Sequence, residues 1–308
     1  MKSPELSLAL GGGGARGFAH IGVLQVLQEA GYTPARITGT SMGAIIGAMF
    51  AETLNAQEVE HRFHRFMETD TYWQTGIPRI VGRKNQEASF WNQMVSQIRG
   101  RLAINIAESR QSIIKRERLR DALGALLSAR DFSDCRIPFT AMATDLHTGR
   151  NFPLRSGDLL TAVEASAAVP GFLPPVEYQG ALLSDGGIGC PIPVDYLDNP
   201  EDSIVIAVGV PPGIHNKTPM DNAIDIINRA EQITTHYYSM TQARRADITI
   251  LPSTEHIAWN EFHRIDEVLN AGRDAGSQML KELEHHRFLR QPWWRKILIT
   301  LGLADLEY

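Results

Sequence analysis

The chain has 308 residues, of which 43% are apolar and 21% charged, with a net charge of −5 and a pI of about 6.1. That balance excludes disordered and fibrous chains, and it argues against nucleic acid as the main partner. Two cysteines, Cys135 and Cys190, form neither a disulfide framework nor a metal-ligand pattern, so neither metal nor cofactor is expected. A reducing, cytoplasmic setting is the expectation.

The N-terminal apolar run 6–10 is too short for a signal segment and reads as a buried strand. Gly11 to Gly14 break it. Phe18, Ile21, Leu24 and Leu27 then recur at helical spacing, and Gly31 marks the stop. A second short strand ends near Thr38. Gly39-Thr40-Ser41-Met42-Gly43 follows, and residues 44–50 read as a buried helix. Strand alternating with helix predicts a mostly parallel sheet flanked by helices, an α/β three-layer architecture.

Residues 55–130 are rich in Arg, Gln and Glu and hold no clear strand. They are expected to form a helical insertion within a single domain. Trp73, Phe90, Trp91, Met94, Ile98 and Leu102 would suit it to lining an apolar channel. Further strands are predicted at 137–143, near 181–184, at 204–210 and at 248–251. Met220, Ala223, Ile224, Ile227, Ala230, Ile233, Tyr237 and Met240 keep a 3/4 spacing, which predicts an amphipathic helix over 220–244. A further helix is expected over 262–284, within a C-terminal helical segment over about 262–308. No stretch approaches the roughly 18 apolar residues of a membrane span. Trp293, Trp294, Arg295 and Lys296, followed by the apolar run 297–303, have the ingredients of an interfacial helix. This segment is expected to touch lipid or another apolar partner.

Three motifs carry chemistry. Gly12-Gly13-Gly14-Ala15-Arg16-Gly17 fits G-x-G-x-x-G between a strand and a helix. A dinucleotide site would need an acid about twenty residues on. Ile37-Thr38-Gly39 stands there instead. A P-loop would need Lys and Ser/Thr where Phe18 and Ala19 stand. What remains is a loop whose N–H groups can face an anion, or a plain tight turn.

Gly39–Gly43 is a G-x-S-x-G nucleophile elbow, with Ser41 at the strand-to-helix turn. Asp185-Gly186-Gly187 places an acid directly after an apolar run. None of the ten histidines sits in a triad context.

The ordered set resembles the patatin-like phospholipases, in the compact bacterial form related to neuropathy target esterase. Residues 144–149, 165–175 and 191–194 also fit. The match is good over 6–54 and 135–210, and weak over 55–130 and the last 60 residues. The resemblance implies a lipid acyl-ester hydrolase working through a Ser-Asp dyad. Ser41 would be the nucleophile and Asp185 its base. The N–H groups of Gly12, Gly13 and Gly14 would form the oxyanion hole, and Arg16 would be the basic residue beside it. Acyl transfer with the same serine, or a non-catalytic protein of this fold, are the contrasting readings.

Overall fold

A computed structural model of the chain describes residues 5–76, 112, 114–198, 203–215, 220, 223–290, 296, 300 and 301. The apolar run Leu6–Leu10 forms β1, fully buried along its length. A short 3-10 turn at Gly14–Phe18 leads into α1 (Ala19–Glu29). Then come β2 (Arg36–Thr40) and α2 (Met42–Thr53). Asn55 caps α3 (Ala56–Met67) with its side-chain oxygen, and Thr69 caps α4 (Asp70–Gln74). After α5 (Arg116–Leu126) the chain makes β3 (Phe139–Asp145), β4 (Asn151–Leu154), α6 (Leu159–Ser166), β5 (Val176–Tyr178) and β6 (Ala181–Asp185). It closes with β7 (Ile204–Val208), α7 (Ala223–Ala243), β8 (Ile248–Ile250) and α8 (Ile265–Arg290).

The described strands join in one sheet of order β5-β6-β3-β2-β1-β7-β8, with β4 also on β3. The run from β3 to β8 is parallel, as the helix-strand alternation predicts. Leu6, Leu8 and Leu10 join the large core with α1, α2 and α3, while Ala9 points to a smaller cluster with Ile192, Val194 and Ala207. This is the period-2 alternation of a strand buried on both faces.

Three strands depart from the parallel pattern. β4 and β6 run antiparallel to β3, and β5 antiparallel to β6. β4 and β5 leave little mark in the sequence. Pro153 lies within β4, as edge strands allow, and β5 has three residues.

β1 lies between β2 and β7, so the chain leaves it to one side early and returns on the other late. The C-terminal end of β1 is therefore at a topological switch point, where open α/β sheets place their crevices.

The described parts of 55–130 include α3, α4 and α5. Residues 77–111 and 113 lie outside the described residues, and with them Phe90, Trp91, Met94, Ile98 and Leu102. Trp73 is 54% exposed. The last helix runs on to Arg290. Trp293, Trp294, Arg295 and most of the apolar run after them also lie outside the described residues. No helix among the described residues is long and apolar enough to cross a membrane.

The helix over 220–244 is present as α7, but its apolar stripe faces outward. Ile227 is 65% and Tyr237 62% exposed, whereas Asn228, Ser239 and Gln242 are buried. Of the inward polar residues, Gln242 accepts from the Ile192 N–H at 2.8 Å.

Candidate active site

The elbow forms because two close approaches demand glycine. A Cβ on Gly39 would lie 2.3 Å from the Gly43 carbonyl oxygen, and one on Gly43 would lie 2.3 Å from the Leu10 carbonyl oxygen. With the backbone pinched this way, Ser41 takes φ 55° and ψ −121°. That conformation costs a residue with a Cβ roughly 1–3 kcal/mol. Its N–H donates to the Ser166 hydroxyl at 3.0 Å, and its carbonyl accepts from Ala44 and Ile45 in the first turn of α2. Ser41 thus sits at the positive end of the helix, where negative charge is favoured. Next to it, the Thr40 hydroxyl donates to the Cys190 carbonyl at 2.8 Å.

Asp185 reaches the same place by an antiparallel route. β6 pairs Asp185 with Ala143, while β2 pairs Thr40 with Met142. Ser41, one residue beyond Thr40, is therefore level with Asp185 at the edge of the sheet. The Ser41 hydroxyl lies close enough to the Asp185 carboxyl to favour its ionised form. The carboxyl also accepts from the Gly187 N–H at 2.7 Å. It is only 6% exposed. Burial pushes its pKa up to about 6, against the opposing pull of the Ser41 hydroxyl and the Gly187 N–H.

The glycine loop lies against this pair. A Cβ on Gly12 would be 3.2 Å from that of Ser41. The Gly12 N–H, however, donates to the Pro191 carbonyl at 3.0 Å. That donor is already used inside the protein, which removes Gly12 from the expected oxyanion donors. The Gly13 and Gly14 N–H groups have no such acceptor among the described residues. Gly14 has φ +59°, and a Cβ there would meet the Trp259 carbonyl at 2.4 Å.

Arg16 is 9% exposed and thus buried, rather than solvated at a helix start. Its Nε donates to the Val210 carbonyl and its Nη1 to the Ile257 carbonyl, both at 3.1 Å. Burial lowers its pKa to about 10, with Glu231 pulling the other way, so it stays charged at neutral pH. Arg16 ties the turn after the glycines to two distant loops. We expect Arg16→Ala to lower kcat by about 10- to 100-fold with little change in KM, and to destabilise the fold by about 1–3 kcal/mol through the abandoned carbonyls. Arg16→Lys should recover part of both losses. Steady-state kinetics and thermal melts check this, and unchanged kcat in a folded Arg16→Ala protein would contradict it.

Two anchors of the site have no role assigned to them by the sequence. One is the fully buried Ser166. The other is His20, also fully buried, whose Nε2 lies 2.7 Å from the Gly11 carbonyl. Burial lowers the His20 pKa to about 4, with the Gly11 contact opposing, so the ring is neutral. Among the described residues no histidine hydrogen-bonds Ser41 or Asp185; His236 and His256 pair with Pro212 and Glu267. Asp145, in the 144–149 motif, holds its own turn by accepting from the Thr148 hydroxyl and the Leu182 N–H.

Two other features lie apart from this site. Glu60, His64 and Asp266 bring ligand atoms within 4.8 Å of one another. The Glu60 carboxylate is already paired with Arg273 at 3.1 Å, which disfavours a cation there. A cavity of about 480 Å³ lies among α4, α5 and α6, lined in part by Arg118, Arg120 and Leu160.

Comparison with known proteins places the chain in a family. The family model described as patatin-like phospholipase matches residues 8–198. An NTE family protein of Mycobacterium tuberculosis is 31% identical over 245 residues, covering 79% of this chain and 60% of that protein. Patatin-like phospholipase domain-containing protein 7 of Mus musculus is 29% identical over 225 residues, covering 72% of this chain and 15% of that protein. The chain thus spans about 60% of the length of the mycobacterial relative. Among solved structures, VipD from Legionella pneumophila aligns with a TM-score of 0.47 at 15% identity, covering 92% of this chain and 67% of that one. With well over half of its length matched by the family model, and with relatives above 30% identity, this chain belongs to the patatin-like phospholipase family.

Proposed function

We propose that the chain is a serine acyl-ester hydrolase acting on lipids through a Ser41–Asp185 dyad. The observation that carries this reading is the pairing of a strained, helix-capping Ser41 with a buried carboxyl held near pH 6. An ordinary aspartate is too weak a base to activate a hydroxyl at neutral pH; one near 6 is ionised there and still a competent acceptor.

Asp185 takes the proton as the Ser41 Oγ attacks the ester carbonyl. The Gly13 and Gly14 N–H groups receive the oxyanion of the tetrahedral intermediate, each contributing roughly 3–4 kcal/mol as in comparable sites. The Ser166 hydroxyl, by holding the Ser41 N–H, keeps the elbow in register. Asp185 then returns its proton to the leaving alcohol. A water, activated by the same carboxylate, hydrolyses the acyl-serine. Membership of the patatin-like phospholipase family and the likeness to NTE family proteins support lipid as the substrate class.

The test is a panel of short p-nitrophenyl esters, lysophospholipids and diacyl phospholipids, run beside covalent labelling with a fluorophosphonate. Hydrolysis of at least one lipid, and a single adduct at Ser41, are expected. Absence of any adduct would favour a non-catalytic protein of this fold.

A further inference from the structure

We propose that the outward face of α7 is the surface by which this protein docks on zwitterionic lipid, presenting its catalytic edge to the bilayer; this rests on the lipid-hydrolase reading above. α7 is inside out. Its buried positions are the polar Asn228, Ser239 and Gln242, with Ala243 at its end, and its exposed ones include Ile226, Ile227, Ile233 and Tyr237. A soluble helix normally buries its apolar stripe, and exposure on this scale marks an interaction surface.

The inversion is held by hydrogen bonds to loops at the C-terminal edge of the sheet. The Tyr238 hydroxyl donates to the Gly189 carbonyl at 2.8 Å, and the His236 Nδ1 lies 3.0 Å from the Pro212 carbonyl. Arg229 reaches the Gly213 and Ile214 carbonyls. The loop around 189 follows Asp185 directly. The loop around 212 follows Val210, whose carbonyl holds Arg16. The apolar face is therefore fastened to the rim of the Ser41–Asp185 site.

The same rim has two more exposed apolar side chains. Ile188, three residues after Asp185, and Leu251, just past β8, are each nearly half exposed. This continuity selects the occupant. A second copy of the chain seated here would cover the edge where substrate must enter, whereas a bilayer would deliver substrate to it. The charges select the kind of lipid. Arg229 is the one Lys or Arg in α7, and it is turned to the Gly213 and Ile214 carbonyls. With no outward cation on the helix to attract anionic headgroups, binding should rest on apolar burial, with Tyr237 at the headgroup level.

Sedimentation with phosphatidylcholine vesicles tests this, comparing wild type with the triple variant Ile226→Ser, Ile227→Ser, Tyr237→Ser. All three side chains are exposed, so the fold should be unaffected. Wild type should bind, and 0.5 M salt should leave binding within about twofold. The variant's partitioning should fall by at least about tenfold, with hydrolysis of a soluble p-nitrophenyl ester unchanged. Wild type that ignores the vesicles, or a variant that binds as well as wild type, overturns the proposal. So does a wild-type dimer that the variant converts to monomer, which would make this face a contact between copies. Failure of the hydrolase reading shows separately, as soluble-ester activity that is absent or independent of Ser41 while vesicle binding persists.

Discussion

Ser41→Ala is expected to lower ester hydrolysis by about 10,000-fold or more, the loss typical of removing a catalytic nucleophile. The fold should survive. Alanine keeps the Cβ and so meets the same strain at φ 55° as serine does. The Ser166 hydroxyl still receives the backbone N–H at position 41. The two proteins should therefore melt within a few degrees of each other. Ser41→Gly should be equally inactive yet more stable, by roughly 1–3 kcal/mol, because glycine tolerates that conformation. A difference of that sign between the Ala and Gly variants would show that the strain is real and held at the elbow. Activity of Ser41→Ala within tenfold of wild type would remove Ser41 from the mechanism. The variant also reports on its partner. Without the Ser41 hydroxyl, Asp185 loses a group that stabilises its charged form, so its pKa should rise further.

The parts of this site that sequence reveals are those enforced by local sterics. Gly39 and Gly43 are required because a Cβ on either would clash with backbone within one strand-turn-helix unit and its neighbouring strand, so the elbow is readable from five consecutive letters. Asp185 is readable because it ends an apolar run at a glycine pair. The supports are different in kind. Ser166 meets Ser41 across 125 residues, and Arg16 meets Val210 and Ile257 across 194 and 241. No local pattern encodes such pairings.

The use of Gly12 shows the same limit. A glycine-rich loop announces available N–H groups, but the Pro191 carbonyl that takes one of them lies far along the chain. β6 illustrates it for the fold. Its residues read as a strand, but its antiparallel pairing with β3, which makes Asp185 level with Ser41, depends on register. α7 is the sharpest case. Its 3/4 spacing marks a helix and an apolar face correctly. Periodicity is blind to which face finds partners, and here loop carbonyls and N–H groups claimed the polar one.

Asp185→Asn is expected to remove most activity, by about 1,000-fold or more, while making the protein more stable at neutral pH. The carboxyl stands near 6 in the folded protein against an ordinary value of 3.8. A pKa raised by folding means that the folded state prefers the protonated acid. Its favourable contribution is thus complete below about pH 4 and is lost as pH rises through 6. Above that, the buried carboxylate costs about 3 kcal/mol. Asparagine carries no charge, still offers an oxygen to the Gly187 N–H, and avoids that cost. Wild-type stability should therefore decline relative to the variant between pH 4 and pH 7, and the two should converge below pH 4. The same proton governs rate. In wild type, kcat/KM should rise about tenfold per pH unit up to about 6 and then level off, as the base becomes ionised. No single His→Ala change should match the loss seen with Asp185→Asn, because among the described residues no histidine hydrogen-bonds either member of the pair. A histidine variant as inactive as Ser41→Ala would replace the dyad with a triad. An Asp185→Asn protein less stable than wild type at pH 8 would show that Asp185 is held for the fold, not strained for catalysis.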